Sequence, residues 1–257
     1  MINDRGRLIK RSNHTIVKCR NKASLFQSFN TLTEDPMSRF VPTLLATILV
    51  LAAPSALAAG SSPASASEAF RLFARCDASL FNALKKNPNL FGTAAEVRNR
   101  GKAATIAVGN PLAEKGRDQV FSEPLEVDGL RLIAWHDEVS YDSELGGFLY
   151  WGFTAEGSLK AVVKKINAVL PASGKLVESG EGWVRAEIRM IGDPADAWRP
   201  SSVGTDTATP KGSVERVLMI ESDGADKTTV SCSLQGSITP PLLQAQRPDL
   251  TNAEYPQ

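Results

Sequence analysis

The chain has 257 residues, with 29 Lys/Arg against 28 Asp/Glu, a formal net charge of +1 and 42% apolar residues. So balanced a charge excludes the strongly basic footprint of a nucleic-acid binder, and the apolar share excludes a chain disordered throughout. Its two histidines and three cysteines show none of the spacings that build a zinc or redox module, so no metal or cofactor is implied.

Residues 1–36 hold seven Lys/Arg against three acids and lack apolar periodicity. From Met37 the pattern changes. Arg39 supplies a positive start, Leu44–Ala53 is an uncharged run of Leu, Ala, Ile and Val, and Ala56-Leu57-Ala58 offers small residues for a signal peptidase. The run is shorter than the roughly 20 residues of a spanning helix, and Pro42 and Pro54 bracket it. Residues 37–58 therefore read as a signal peptide cleaved near Ala58, with the product in the periplasm or secreted and no stable membrane insertion after cleavage. The alternative is an uncleaved anchor. Translation starting at Met37 is the simplest account of residues 1–36, the other being a long basic n-region; in either case the segment stands outside the fold.

Removing residues 1–58 takes away eight basic and three acidic residues. That leaves 21 Lys/Arg against 25 Asp/Glu, a net charge of −4 on a chain long enough for one domain. Residues 59–66 read as a flexible leader. A helix is expected over 67–86, with Ser65 and Glu68 as its capping box and Asn87-Pro88 as its stop. Ala69, Phe73, Cys76, Leu80 and Leu84 fall on its apolar stripe. Residues 87–116 lack a clear period and contain the polar patch EVRNRGK.

Strand patterns begin at Gln119. QVFSEPLEV and LRLIAWHDEVS flank the turn pair Asp128-Gly129, and GGFLYWGF, apolar on both faces, reads as a central strand. An amphipathic helix follows, with Leu159, Val162, Ile166 and Val169 on its buried stripe. Two hairpins complete the domain. In the first, Val184, Ala186, Ile188 and Met190 are expected to face inward, leaving Trp183, Arg185, Glu187 and Arg189 outside. In the second, SVERVLMIES pairs with TTVSCSLQG across Asp223-Gly224. The loop between the hairpins and the Pro-rich tail 238–257 show no periodicity, and the tail is expected to be poorly ordered.

The fold class is α+β, with one domain over 67–237. An antiparallel sheet of about six to seven strands packs against two helices, and one helix is tied to the last strand. The tie is Cys76–Cys232. Cys19 precedes the signal, and the remaining pair lies on inward faces by two separate periodicities in an oxidising compartment. Two buried free thiols are the alternative.

Catalytic motifs are absent: the sequence has no G-x-S-x-G elbow, no phosphate loop and no H-x-x-x-H. His136 with Glu138 is the one local candidate for acid/base or metal chemistry, since strand parity sends Asp137 to the other face. The carboxylate pairs Asp137/Glu138, Glu178/Glu181 and Asp193/Asp196 resemble any solvated loop. Aromatics beside arginine remain: Tyr150, Trp151, Trp183, Arg185 and Trp198 form a candidate binding face. The expected function is a non-enzymatic envelope module binding a protein partner or a small apolar ligand. The alternative is an envelope-acting hydrolase using His136 or a carboxylate pair.

Overall fold

The computed structural model describes residues 63–194, 196–201 and 208–254. The upstream segment 1–36, the signal peptide 37–58 and residues 59–62 of the leader lie outside the described residues. Among the described residues no helix is long and apolar enough to cross a membrane.

The chain runs α1 (Pro63–Phe73), α2 (Ser79–Lys86), β1 (Val97–Arg100), β2 (Ala103–Ile106), β3 (Asp118–Val127), β4 (Leu130–Asp142), β5 (Gly146–Glu156) and α3 (Leu159–Val169). It continues with β6 (Val177–Ser179), β7 (Gly182–Met190), β8 (Arg199–Pro200), β9 (Ser213–Ser222), β10 (Lys227–Gly236) and α4 (Pro240–Gln246). The main sheet is antiparallel in the order β3-β4-β5-β10-β9-β7-β6, with β8 beside β7, and β1 and β2 form a separate two-stranded sheet. The α+β reading holds, as does the central place of GGFLYWGF, which forms β5 between β4 and β10.

The expected helix over 67–86 is two helices. The break lies at Cys76, whose φ is +56°, and the Asp77 carboxylate accepts the Ser79 N–H at 2.8 Å to start α2. Apolar spacing survives the break: Ala69, Phe73, Cys76, Leu80 and Leu84 are all fully buried. Ser65 and Glu68 lie inside α1, which begins at Pro63, so they are not its capping box, and Ala66 of the supposed leader is buried. The patch EVRNRGK, read as irregular, forms β1 and its turn. Its small partner strand Ala103–Ile106 is buried along its whole length.

One row of paired residues crosses the sheet as Asp137, Trp151, Cys232, Leu218 and Arg185. The row beside it runs Trp135, Phe153, Val230, Ile220 and Trp183. These side chains face the helices. Phe153 meets Phe73 and Trp135 edge-on, with ring centroids 4.9 and 4.8 Å away. Val184 and Val217 are buried on the opposite face and stand apart from this core.

That register reverses the expectation for β7. Trp183 and Arg185 are on the helix side, whereas Met190 on the other parity is 43% exposed. Alternation told the two faces apart but not which one the helices cover. Near the sheet edge the cover is thin enough for an arginine stem to pack while its head reaches polar groups.

The disulfide joins Cys76 to Cys232, with Cα atoms 5.2 Å apart, and closes a sequence separation of 156 residues. The tail also departs from expectation. Leu242, Leu243, Arg247, Asp249 and Leu250 are buried. Pro240 at the start of α4 costs no helical bond, because the first-turn N–H groups have no intrahelical acceptor. Lys102 N–H donates to the Pro248 carbonyl at 2.8 Å. At the adjacent Gly101 (φ +54°) a Cβ would sit 2.6 Å from that same oxygen, so the tail docks where the β1–β2 turn carries no side chain.

Arg247 is the anchor. Its guanidinium donates to both oxygens of Asp137 at 3.0 Å and to both of Asp249 at 2.9 Å, and all three residues are fully buried. It also lies 4.6 and 4.7 Å from the ring centroids of Phe81 and Trp151. The neighbouring carboxylates outweigh the burial that would lower the guanidinium's pKa and hold it higher, whereas burial raises Asp137.

Two measurements check this architecture. Reducing the disulfide, or making Cys76→Ser, is expected to destabilise the domain by about 2–5 kcal/mol in denaturant melts. Arg247→Ala is expected to cost about 3–5 kcal/mol, because it strands two buried carboxylates; an undiminished melting midpoint would show the tail to be dispensable.

Candidate functional site

The five residues of the candidate binding face do not form one surface. Trp151 is fully buried in the core beneath Arg247. Trp183 is half-buried against the same core. Trp198 is held by cations, with Arg216 at 4.5 Å and Arg189 at 5.9 Å from its ring. Tyr150 lies on the opposite sheet face, in the row of Ala186, Val217, Ser233 and Glu138. Arg185 lines a cavity.

The carboxylate pairs separate as well. Asp137 is committed to Arg247 on the helix face, and Glu138 belongs to the other face. Glu178 and Glu181 are exposed at the β6–β7 turn. Asp193 accepts from Arg199 at 3.1 Å and from the Met190 N–H at 2.9 Å, while Asp196 is exposed.

His136 belongs to a polar cluster on the face away from the helices. Its Nδ1 lies 2.8 Å from an Asp118 oxygen and its Nε2 3.5 Å from Glu138, whose other oxygen is 3.0 Å from Arg117. Burial pulls the imidazole pKa down, but hydrogen bonds and charge from Glu138 and Asp118 outweigh it and raise the value above 6.5. The His136 hydrogen bond lowers Glu138, assisted by Arg117. Burial, with the charges of Glu138 and Glu221, pushes Tyr150 up to about 12. Both imidazole nitrogens are thus taken by carboxylates, and among the described residues no group of three or more His, Cys, Asp or Glu has metal-holding geometry. His136 is braced between β3 and β4, and when protonated it joins Arg117 in balancing the charges of Asp118 and Glu138.

The cavity lies between α1, the end of α3 and β7, and has a volume of about 340 Å³. Glu68, Arg71, Leu72 and Arg75 line one side at spacings of i, i+3, i+4 and i+7, the repeat of one helical face. Val169, Leu170 and Pro171 form the facing wall, and Arg185 and Ala74 complete the lining. Arg185 donates to the Ala74 carbonyl at 2.6 Å, which satisfies an acceptor beyond the end of α1. Arg71 lies 3.6 Å from Asp128, and Arg75 reaches only the Ser79 hydroxyl at 3.4 Å. Among the described residues no carboxylate comes within ion-pair distance of Arg75 or Arg185. Burial lowers the Arg185 pKa, assisted by Arg216 and only partly offset by the longer-range charges of Glu187 and Asp77.

Arg185 was visible in the sequence as a polar neighbour of Trp183. Arg71 and Arg75 were not, because a polar stripe opposite an apolar one reads as a solvated face. Comparison with known proteins finds no matching family model, no matching curated protein and no matching solved structure.

The His136 cluster carries its own test. A pKa raised by folding contributes stability that is fully present below the unfolded value near 6.5 and is lost as pH rises through the folded value. NMR titration of His136 is expected to give a pKa above 6.5. His136→Ala is expected to cost less than about 1 kcal/mol at pH 5.5, because solvent screens the 32%-exposed side chain, and this charge-dependent loss disappears at pH 9. A titration midpoint below 6.5 would contradict the arrangement.

Proposed function

We propose that the chain is an exported, non-enzymatic binding module of the cell envelope that takes a small ligand with an apolar body. The observation that carries this reading is the cavity of about 340 Å³ between α1, α3 and β7. It is near the lower end of the sizes that hold small molecules, and it combines apolar walls with a few converging polar groups. The signal sequence and the Cys76–Cys232 disulfide support the oxidising compartment.

A second reading, an envelope-acting hydrolase, has one observation in its favour: Asp118 holds His136 as an orienting carboxylate holds a catalytic imidazole. Against it, Glu138 occupies the second nitrogen and the raised pKa favours the protonated form, which has no proton-accepting nitrogen.

Incubating the purified protein with an envelope extract, then releasing and weighing what is bound, tests the first reading. A stoichiometric small molecule is expected, together with a protein that begins near Ala59 when recovered from the exported fraction. Recovery of none would remove the binding reading. Hydrolysis of envelope material that His136→Ala abolishes would replace it with the enzyme.

A further inference from the structure

The cavity between α1, α3 and β7 has two kinds of wall. Leu72, Val169, Leu170 and Pro171 give it apolar surface. Arg71, Arg75 and Arg185 bring three positive charges against one acid, Glu68, so the lining carries a formal +2. The three arginines are not equivalent. Arg71 sits beside Asp128 with its side chain half exposed, whereas Arg185 is half-buried and has no carboxylate within ion-pair distance among the described residues. Among the described residues its one hydrogen bond goes to the Ala74 carbonyl, and Glu187 and Asp77 act on it only at longer range, so most of its five donors have no protein acceptor there.

A guanidinium drawn out of water without an anion is costly. The same protein shows the ordinary remedy: fully buried Arg247 has two carboxylates. Arg185 has a cavity where such a partner would stand. Its planar fork suits a carboxylate, which accepts two parallel N–H bonds. Arg75 lines the cavity from the turn that follows α1, and among the described residues its one hydrogen bond is a long one to the Ser79 hydroxyl.

We propose that this cavity binds a monocarboxylate with a short apolar body, its carboxylate on Arg185 and Arg75 and its body against Leu72, Val169, Leu170 and Pro171. The inference rests on the binding-module reading and names its ligand class. Glu68 faces the same space and disfavours ligands that carry further negative charge near the α1 side. The small volume excludes a long folded chain. The arrangement also makes affinity dependent on salt, because part of it is the attraction of an anion to a positive rim.

Calorimetry with sodium decanoate as probe tests this. The purified protein is expected to bind one decanoate per chain, with acetate and decyltrimethylammonium each at least tenfold weaker. Arg185→Gln is expected to weaken decanoate about tenfold to a hundredfold, the range for a hydrogen-bonded charge. Because Arg185 also holds Ala74, Arg75→Gln serves as the second variant; that residue is exposed and its loss cannot unfold the domain, and a severalfold weakening is expected. Absence of decanoate binding, full affinity in both variants, or equal binding of the cationic amphiphile would overturn the proposal. Tighter binding of monodecyl phosphate than of decanoate would overturn the carboxylate assignment in favour of a phosphate headgroup. An envelope ligand that both variants retain at full affinity would also overturn it while leaving the binding-module reading intact. A protein that captures nothing from the extract would instead remove that broader reading.

Discussion

The Arg247–Asp137–Asp249 triad is the interaction on which the rest of the structure depends. A fully buried guanidinium is held by two carboxylates and lies against Phe81 and Trp151. Those partners come from the tail, β4, α2 and β5, so one group unites four parts of the chain. Buried ion pairs are weak sources of net stability compared with apolar packing, yet breaking one is severe. The triad therefore acts mainly as a positional lock: moving the tail would separate the buried charges of Arg247 and Asp137. Through the Lys102–Pro248 hydrogen bond the same tail fixes the β1–β2 turn.

The lock and the disulfide lie on one line. Asp137 pairs with Trp151, Trp151 with Cys232, Cys232 with Leu218 and Leu218 with Arg185 across the sheet. Cys232 meets Cys76 at the break between α1 and α2. A single register row thus sets the docking of the tail at one end, the bend between the first two helices in the middle, and the floor of the cavity at the other. A one-residue slip would send every one of these groups to the opposite face, which makes the register strongly specified.

How much of this was legible depends on the range over which each signal acts. The disulfide was readable because Cys76 and Cys232 each sat on an apolar stripe within a few residues. The Asp128-Gly129 turn was readable because both positions take positive φ, +48° and +78°. The break at Cys76 was not, since apolar spacing continued unbroken to Leu84 while the backbone did not. The fold of the tail depends on Arg247 finding Asp137, a contact 110 residues away that no local pattern announces. In β7 the alternation was real, but the choice of covered face depended on where α1 and α3 would lie. That choice moved Arg185 from an expected solvent face to the wall of the cavity.

Two arginines, Arg247 fully buried and Arg185 half-buried, meet opposite fates. Arg247 is held from the tail by Asp137 at one end of the row of paired strands, and Arg185 stands at the other end, on the helix side. The first has two carboxylates in contact with it; the second has none within ion-pair distance among the described residues, feels Glu187 and Asp77 only at longer range, and faces open volume. If Arg185 served packing alone, its stem would suffice and a leucine or methionine would avoid the cost of desolvating its head. If it served only to satisfy the Ala74 carbonyl, a single neutral donor would do so, without a second and third arginine lining the same space. The features that remain unexplained by folding are thus the charge of Arg185, the convergence of Arg75 and the apolar wall opposite them. All three are accounted for together by an anion with an apolar body.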